Sequence, residues 1–409
     1  MHARTLAFAI GVVLVCGCGA KSPDQLDAQE NATEDVSEAL VRAHTALGDP
    51  LPGLTKDELA AFNDGKESFQ EVEGNADGLG PVFNENSCAA CHTGPTGGSN
   101  GRLETRFGRK NPDGSFDPLA ALGGSLLQDH GIGDVPGHSY PAEVVPAIAN
   151  VVARRRTTAL FGLGLVDATP DATFRALAAR QARFTPEAAG KVAIVDNLVT
   201  GTKGVGKFGW KNGNPTLLQF SADAYLNEMG ITSPIFPDEN CPQGDCAALA
   251  FNPRPDLNDA DGADVQEFAD FMTFLAPPLR GPLSLKSLIG EGVFTAIGCA
   301  VCHVPTLVTG RNAVRALDRV AYHPFSDFLL HDMGSLGDGI VQGAAGAREM
   351  RTAPLWGLRH ATVLLHDGRA KTVRDAVLAH DGQGLRSRNR FANLDSRSRD
   401  ALLAFLASL

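Results

Sequence analysis

Two copies of one short pattern constrain this chain more than anything else in it. Cys88-Ala89-Ala90-Cys91-His92 and Cys299-Ala300-Val301-Cys302-His303 both read C-x-x-C-H. Two thiols at this spacing reach the two vinyl groups of one porphyrin, and the adjoining imidazole then lies under the iron as its proximal ligand. A zinc half-site calls for two more ligands close by, and no second C-x-x-C or H-x-x-x-H follows either copy closely. A thioredoxin-like redox pair sits in a βαβ pattern, which the flanking sequence lacks. The expectation is two covalently bound haem c groups. Cys88, Cys91, Cys299 and Cys302 supply the thioether links, and His92 and His303 ligate iron.

Bacterial haem attachment takes place outside the cytoplasm, and the first residues supply an export signal. Arg4 gives a positive n-region, and Leu6 to Val15 is an apolar stretch too short to span a bilayer. The sequence Val15-Cys16-Gly17-Cys18 then resembles a lipoprotein processing site, with Cys18 as the lipidated residue after the small Gly17. Residues 1–18 are expected to be signal peptide and lipidation site, and 19–50 a polar flexible tether. Gly19, where an Asp would retain the protein at the inner membrane, points to the outer membrane, on its periplasmic face and held by the lipid anchor only. Of the eight cysteines, one pair remains. Cys241 and Cys246 close a short Pro- and Gly-containing loop and are expected to form a disulfide in an oxidising compartment. The net charge of −11 argues against nucleic-acid binding and is compatible with docking a basic partner.

The two motifs sit in a partial internal repeat, Phe83 and Phe294 each preceding the first cysteine by five residues. Leu285, Leu288, Ile289 and Val293 recur at helical spacing, predicting a helix over 284–296; Leu59, Phe62 and Phe69 predict another at about 56–72. A helix followed by the haem-binding turn is how a cytochrome c domain begins. The break Ala276-Pro277-Pro278 divides an N-terminal haem domain, 51–280, from a C-terminal cytochrome c domain, 281–409, which ends in a helix carrying Leu402, Leu403, Phe405, Leu406 and Leu409. Residues 95–150, rich in Gly, Pro and Asn, read as long loops, and Asp171 as the cap of a helix with Phe174 and Leu177. The fold class expected is mainly α: two cytochrome c-like domains with long loops. Asp256 to Asp264 resembles a calcium loop with its Gly262 one place out of register, so it reads first as a solvated linker and second as a calcium site.

The second axial ligand decides what a haem does: a filled site transfers electrons, and an open one binds peroxide. For the second haem His380 stands on one face with Val373 and Val377, behind a Thr372/Asp375 helix cap, and Met333 is its rival. For the first haem the candidates are His130 and His138, or no ligand at all.

Longer stretches carry a resemblance. Gly78-Leu79-Gly80-Pro81-Val82-Phe83-Asn84, Leu160-Phe161-Gly162-Leu163-Gly164-Leu165, Lys207-Phe208-Gly209-Trp210-Lys211 and Met229-Gly230-Ile231-Thr232-Ser233-Pro234 are followed by three more. These are Asp327-Phe328-Leu329-Leu330-His331-Asp332-Met333-Gly334, Arg351-Thr352-Ala353-Pro354-Leu355-Trp356-Gly357 and Leu365-His366-Asp367-Gly368-Arg369-Ala370. Over about 55–409 the chain resembles the di-haem oxidoreductase family, also called thiol oxidoreductases and distantly similar to bacterial di-haem cytochrome c peroxidases. The resemblance places His380 where the peroxidases carry a ligating Met, implying a bis-histidine haem of lower potential, and it demotes Met333. It implies that the N-terminal haem is the peroxidatic one, with His138 the nearest analogue of its distal histidine. Glu228 and His138 are the acid–base candidates, and Trp210 or Trp356 the candidate relay between haems. The function implied is electron transfer from a small redox protein, a cytochrome or cupredoxin, through the C-terminal haem to hydrogen peroxide or another oxidant at the N-terminal haem. The alternative is a pure electron-transfer cytochrome. Thiol oxidation rests on the family label alone, and Cys241/Cys246 would be its one protein redox centre.

Overall fold

Thr55 and Glu58 cap each other at the head of the first helix, α1 (Lys56–Ser68). The Thr55 hydroxyl accepts from the Glu58 amide, and the Glu58 carboxylate accepts from the Thr55 amide. Two orphan donors are satisfied and the start of the helix is fixed. The computed structural model describes residues 46–409; the expected signal peptide, Cys16, Cys18 and nearly all of the tether lie outside them. The first thiol pair forms a single turn, α2 (Cys88–Cys91). Next come α3 (Leu163–Asp167), α4 (Asp171–Phe184), α5 (Leu217–Met229) and α6 (Ala263–Phe274). Beyond the proline break lie α7 (Leu285–Ala296), α8 (Val373–Ala379), α9 (Leu385–Ala392) and α10 (Ser396–Leu406). The second thiol pair sits in a 3-10 turn, Cys299–Val301, directly after α7. Among the described residues no helix is long and apolar enough to cross a membrane.

Two helix crossings build the frame around the motifs. α1 crosses α6 at Gly65, where an added Cβ would fall inside contact distance of the Glu267 carbonyl oxygen; α7 crosses α10 at Gly290, with the Ala401 carbonyl oxygen in the same position. Four residues after each glycine stands a phenylalanine. Phe69 packs on Phe271 at 4.9 Å and edge-on to His92 at 5.9 Å. Phe294 packs on Phe405 at 5.2 Å and lies 6.4 Å from His303. The structural repeat is therefore Gly-x-x-x-Phe, and it corrects the pairing of Phe83 with Phe294. Phe83 belongs to the two-residue strand Val82–Phe83 and stacks on His130 at 5.5 Å. Residues 70–87, inserted between Phe69 and its motif, disguise the true correspondence.

The stretch expected to be loops contains the longest strand. Leu103–Lys110 pairs antiparallel with Val151–Arg156, from Leu103↔Arg156 to Gly108↔Val151, and with Phe116–Asp117 on its other edge. Glu104, Arg106 and Arg155 occupy inward positions that a usual strand gives to apolar side chains, so the alternation is charged and escapes a hydrophobic reading. Asp171 is the first residue of α4 rather than its cap; its carboxylate accepts from the Val205 amide at 2.8 Å. The described chain is 35% helix and 15% strand, a mainly helical frame with more strand than expected. The boundary at 280/281 falls between α6 and α7. The main apolar core crosses it, joining Leu160, Phe174 and Phe271 to Leu307, Tyr322 and Phe328. A second core around Phe294, Phe391, Leu402 and Phe405 belongs to the C-terminal part alone.

Candidate haem sites

Phe294, Leu402 and Leu406 back a cavity of about 1420 Å³ of empty space, open mouth included, into which Cys299, Cys302, His303 and His380 project. His303 comes from the turn after α7, and its Nδ1 is bonded to the Phe325 carbonyl at 2.9 Å. His380 follows the last residue of α8, whose start is fixed by Thr372 accepting from the Asp375 amide, and its Nδ1 bonds the Ala376 carbonyl at 2.8 Å. A neutral imidazole whose Nδ1 donates to a carbonyl keeps its Nε2 lone pair free for a metal. Burial, then the neighbouring His380, pushes His303 down to about 4; burial also lowers His380. The two ring centroids are 6.4 Å apart. With metal–imidazole bonds of about 2 Å each, two half-rings and one metal atom fill that separation. Met333 also lines the cavity, and Gly384 lets it and His380 approach each other: a Cβ there would lie 3.1 Å from His380 Cβ and 3.4 Å from Met333 Cε.

The first motif faces a second cavity, of about 1360 Å³ with its mouth, lined by Cys88, Cys91 and His92. Its imidazole content differs: His92 is the one histidine among its lining residues, with a buried Nδ1 that has no partner. Burial pushes His92 down to about 4, so it too is neutral. What the cavity holds instead is charge. Glu104 and Arg106, two apart on one strand and thus on one face, meet at 2.9 Å, and Glu228 from the end of α5 joins them. Burial, then the adjacent Glu104, pushes the Glu228 carboxyl up to about 8; Asn84 donates to it at 2.9 Å. Burial alone would raise Glu104 as well, but Arg106 outweighs it and holds Glu104 below the usual carboxylate range. The environment thus pushes the two carboxyls apart, Glu228 toward its acid form and Glu104 toward its ionised form.

Trp210 lines both cavities. Its Nε1 donates to the Arg156 carbonyl at 2.9 Å, and its ring lies edge-on to His366 at 6.2 Å. His366 is buried and lines the C-terminal cavity, and burial pushes it down to about 4. Trp356 lines neither of the two motif cavities; it packs on Tyr322 at 6.0 Å. Of the two tryptophans, Trp210 is the one that lies against both motif cavities.

Other expected residues are placed elsewhere. His138 is a correction: the hairpin of Gly133–Val135 with His138–Tyr140 carries it onto Phe251, stacked at 5.3 Å, and not into the first cavity. His130 is also outside the lining, bonded by Nδ1 to Asp129 at 2.7 Å. The acidic stretch caps a helix instead of forming a calcium loop. Asp259 accepts from the amides of Asp264 at 3.4 Å and Val265 at 3.3 Å, and Asp261 from Ala263 at 3.2 Å. Cys241 and Cys246 are joined in a disulfide. Among the described residues the one cluster with three metal-ligand types is Cys302, Asp327 and His331. Its imidazole is already used on both sides, by Asp327 at 3.0 Å and Gln383 at 3.1 Å.

The residues fit a haem at each motif. Burial pushes Cys88, Cys91 and Cys299 up to about 12, so these thiols stand neutral at the cavity walls. Beside each pair stands a neutral imidazole at a cavity wide enough for a large planar group. Sequence reasoning found these residues and Glu228, but missed Glu104 and Arg106; a period of two in charge rather than in hydrophobicity was the available signal.

Comparison with known proteins gives the following. A family model described as "Di-haem oxidoreductase, putative peroxidase" matches residues 148–409, which include the second motif and begin after the first. No curated protein matches the chain. Among solved structures the chain is similar to the diheme peroxidase BthA from Burkholderia thailandensis, with 16% identity, a TM-score of 0.41, and 89% of this chain and 87% of that one covered. It is similar to a MauG-like protein associated with microbial copper homeostasis, with 14% identity, a TM-score of 0.39 and coverage of 88% and 92%. A hydrazine synthase from Kuenenia stuttgartiensis gives 14% identity, a TM-score of 0.39 and full coverage of both chains.

Proposed function

The chain belongs to the di-haem oxidoreductase family, and on that footing we propose that it is a periplasmic peroxidase-type enzyme. Electrons from a small donor protein, a cytochrome or cupredoxin, enter at the C-terminal site and leave at the N-terminal site to hydrogen peroxide or a related oxidant. Cys88/Cys91 and Cys299/Cys302 attach the two groups, His92 and His303 are proximal ligands, and His380 is the sixth ligand of the second. Bound at these sites, haem iron supplies one-electron chemistry at both and a place for the oxidant at the first. Export as a lipoprotein anchored through Cys18 is supported by the sequence pattern up to that residue, and the outer membrane as its destination by Gly19.

The observation that carries this reading is the carboxyl pair Glu104/Glu228 in the first cavity, without a counterpart in the second. Peroxide reduction takes two electrons and two protons to give two waters. Glu228 holds a proton at its carboxyl to deliver to the departing oxygen, and Glu104, ionised beside Arg106, receives the next proton and restores the pair. Arg106 keeps the charge of that pair balanced in a desolvated space. At the other site two neutral imidazoles, each fixed by a carbonyl, hold their ring planes without needing any proton to move. A relay with no substrate of its own has no use for a proton poised near neutrality at one site only.

Purified holoprotein is the test. Mass spectrometry should show two haems, and the reduced protein should consume hydrogen peroxide and bind cyanide at one site. Two sites closed to cyanide, with no peroxide consumption from any reduced donor, would overturn the proposal.

A further inference from the structure

Two arginines on the wall around Trp210 have no counter-ion among the described residues. Arg351 is buried; its Nε donates to the Gly209 carbonyl at 2.8 Å and its Nη1 reaches only the Thr352 carbonyl at 3.5 Å. Arg156 donates from Nε to the Leu365 carbonyl at 2.9 Å and from Nη1 to the Thr157 carbonyl at 3.4 Å. Among the described residues neither guanidinium meets a carboxylate, and the Nη2 of each donates to no protein atom. Their neighbours show the contrast: Arg155 is paired with Asp338 at 2.8 Å, and Lys211 with the same carboxylate at 2.8 Å. A desolvated cation without a partner is costly, and burial pushes Arg351 down to about 10. The surroundings therefore call for an anion.

The position of each arginine says which anion. Arg156 lines the first cavity, the second, and a third space of about 1050 Å³ between Trp210 and Trp356; Arg351 lines the second and the third. Each haem carries two carboxylates on its rim, and a guanidinium matches a carboxylate with a planar pair of donors. Resting on the two-haem reading above, we propose that Arg156 is the shared counter-ion for carboxylates of both haems, and that Arg351 serves the C-terminal haem alone. Arg156 is also stacked on Trp210, its guanidinium carbon 5.6 Å from the ring centroid, while the indole Nε1 holds the Arg156 carbonyl. Charge and indole are thus clamped as one unit between the sites. A nearby cation favours the reduced form of a redox centre, so one side chain biases both haems together.

The test is spectroelectrochemistry of the two-haem holoprotein, resolving the two haems by their spectra. Arg156→Gln should lower the potentials of both, each by about a tenfold change in the reduction equilibrium, about 59 mV for one electron. Arg351→Gln should lower that of the C-terminal haem only. Arg156→Lys keeps the charge and should leave both within a fraction of that shift. An Arg156→Gln protein with either potential unmoved, an Arg351→Gln protein with both moved, or an Arg156→Lys protein that falls as far as the Gln variant would each overturn the proposal. Wild-type protein lacking haem would sink the two-haem reading itself, a failure distinct from these.

Discussion

The two motif cavities share a frame and differ in contents. Each is entered by a glycine-crossed helix, Gly65 or Gly290, followed by a phenylalanine against the motif histidine. Yet the C-terminal cavity offers a second imidazole, His380, while the N-terminal one offers Glu104, Arg106 and Glu228. The same scaffold has thus been given a closed, proton-indifferent site and a polar, proton-bearing one. What separates them is the origin of the wall facing the motif: a helix end at α8 supplies a second imidazole in one, and a charged strand together with the end of α5 supplies a carboxyl pair in the other. The division of labour proposed above, electron entry at one site and substrate chemistry at the other, rests on that one difference.

The sharpest way to break the comparison is to remove the proton from the polar site. Glu228→Gln keeps the shape and the hydrogen bond from Asn84 but cannot give up a proton, and peroxide turnover should fall by about 10²–10⁴-fold. The spectrum and potential of the C-terminal site should not change; steady-state peroxide assays and a redox titration of the same preparation check both. The wild-type pH profile carries the same information. Glu228 is pushed up to about 8, so its acid form is present below that pH and lost above it. Turnover should be high near neutrality and decline as pH rises through about 8, with a one-proton slope. In Glu228→Gln that limb should disappear, and its persistence would assign the titration to another group.

The closed site can be tested by exchanging its ligand type. His380→Met replaces an imidazole by a thioether, which favours reduced iron, and should raise the C-terminal potential by more than a tenfold change in equilibrium, over about 59 mV. The absorption signature of a bis-histidine site should give way to a histidine–methionine one. An unchanged spectrum would hand the sixth position to another group of the same cavity wall, such as Met333.

The sequence disclosed the two sites unequally for reasons of distance along the chain. Each thiol pair and its histidine lie within five residues, so their chemistry is local and readable. His380 lies on a short helix whose cap, Thr372 with Asp375, is also local. Glu104 and Arg106 were hidden because their strand finds its partner more than forty residues later, at Val151–Arg156, and turns charged side chains inward. His138 misled for the converse reason: similarity of order along the chain placed it near the first motif, while a hairpin turned it onto Phe251. Arg351 opens one of the stretches that carry the resemblance, but nothing in the sequence marks its charge or that of Arg156 as unpaired, since what marks them is the absence of a carboxylate in three dimensions among the described residues.

The smallest effects test whether the two halves are one frame used twice. In a helix, Gly→Ala ordinarily stabilises by about 1 kcal/mol, because alanine loses less backbone freedom on folding. At Gly65 and Gly290 the sign should reverse. The added methyl meets the carbonyl oxygen of Glu267 in one case and of Ala401 in the other, backbone atoms that cannot rotate away. Each helix pair must then separate, and overpacking of this kind costs about 1–3 kcal/mol. Denaturant titration of Gly65→Ala and Gly290→Ala holoproteins should show losses of similar size. Gly292→Ala, on the same helix but with open space around it, should show the ordinary gain. Equal gains at all three positions would mean that the crossings are looser than described and that the Gly-x-x-x-Phe repeat does not define the frame.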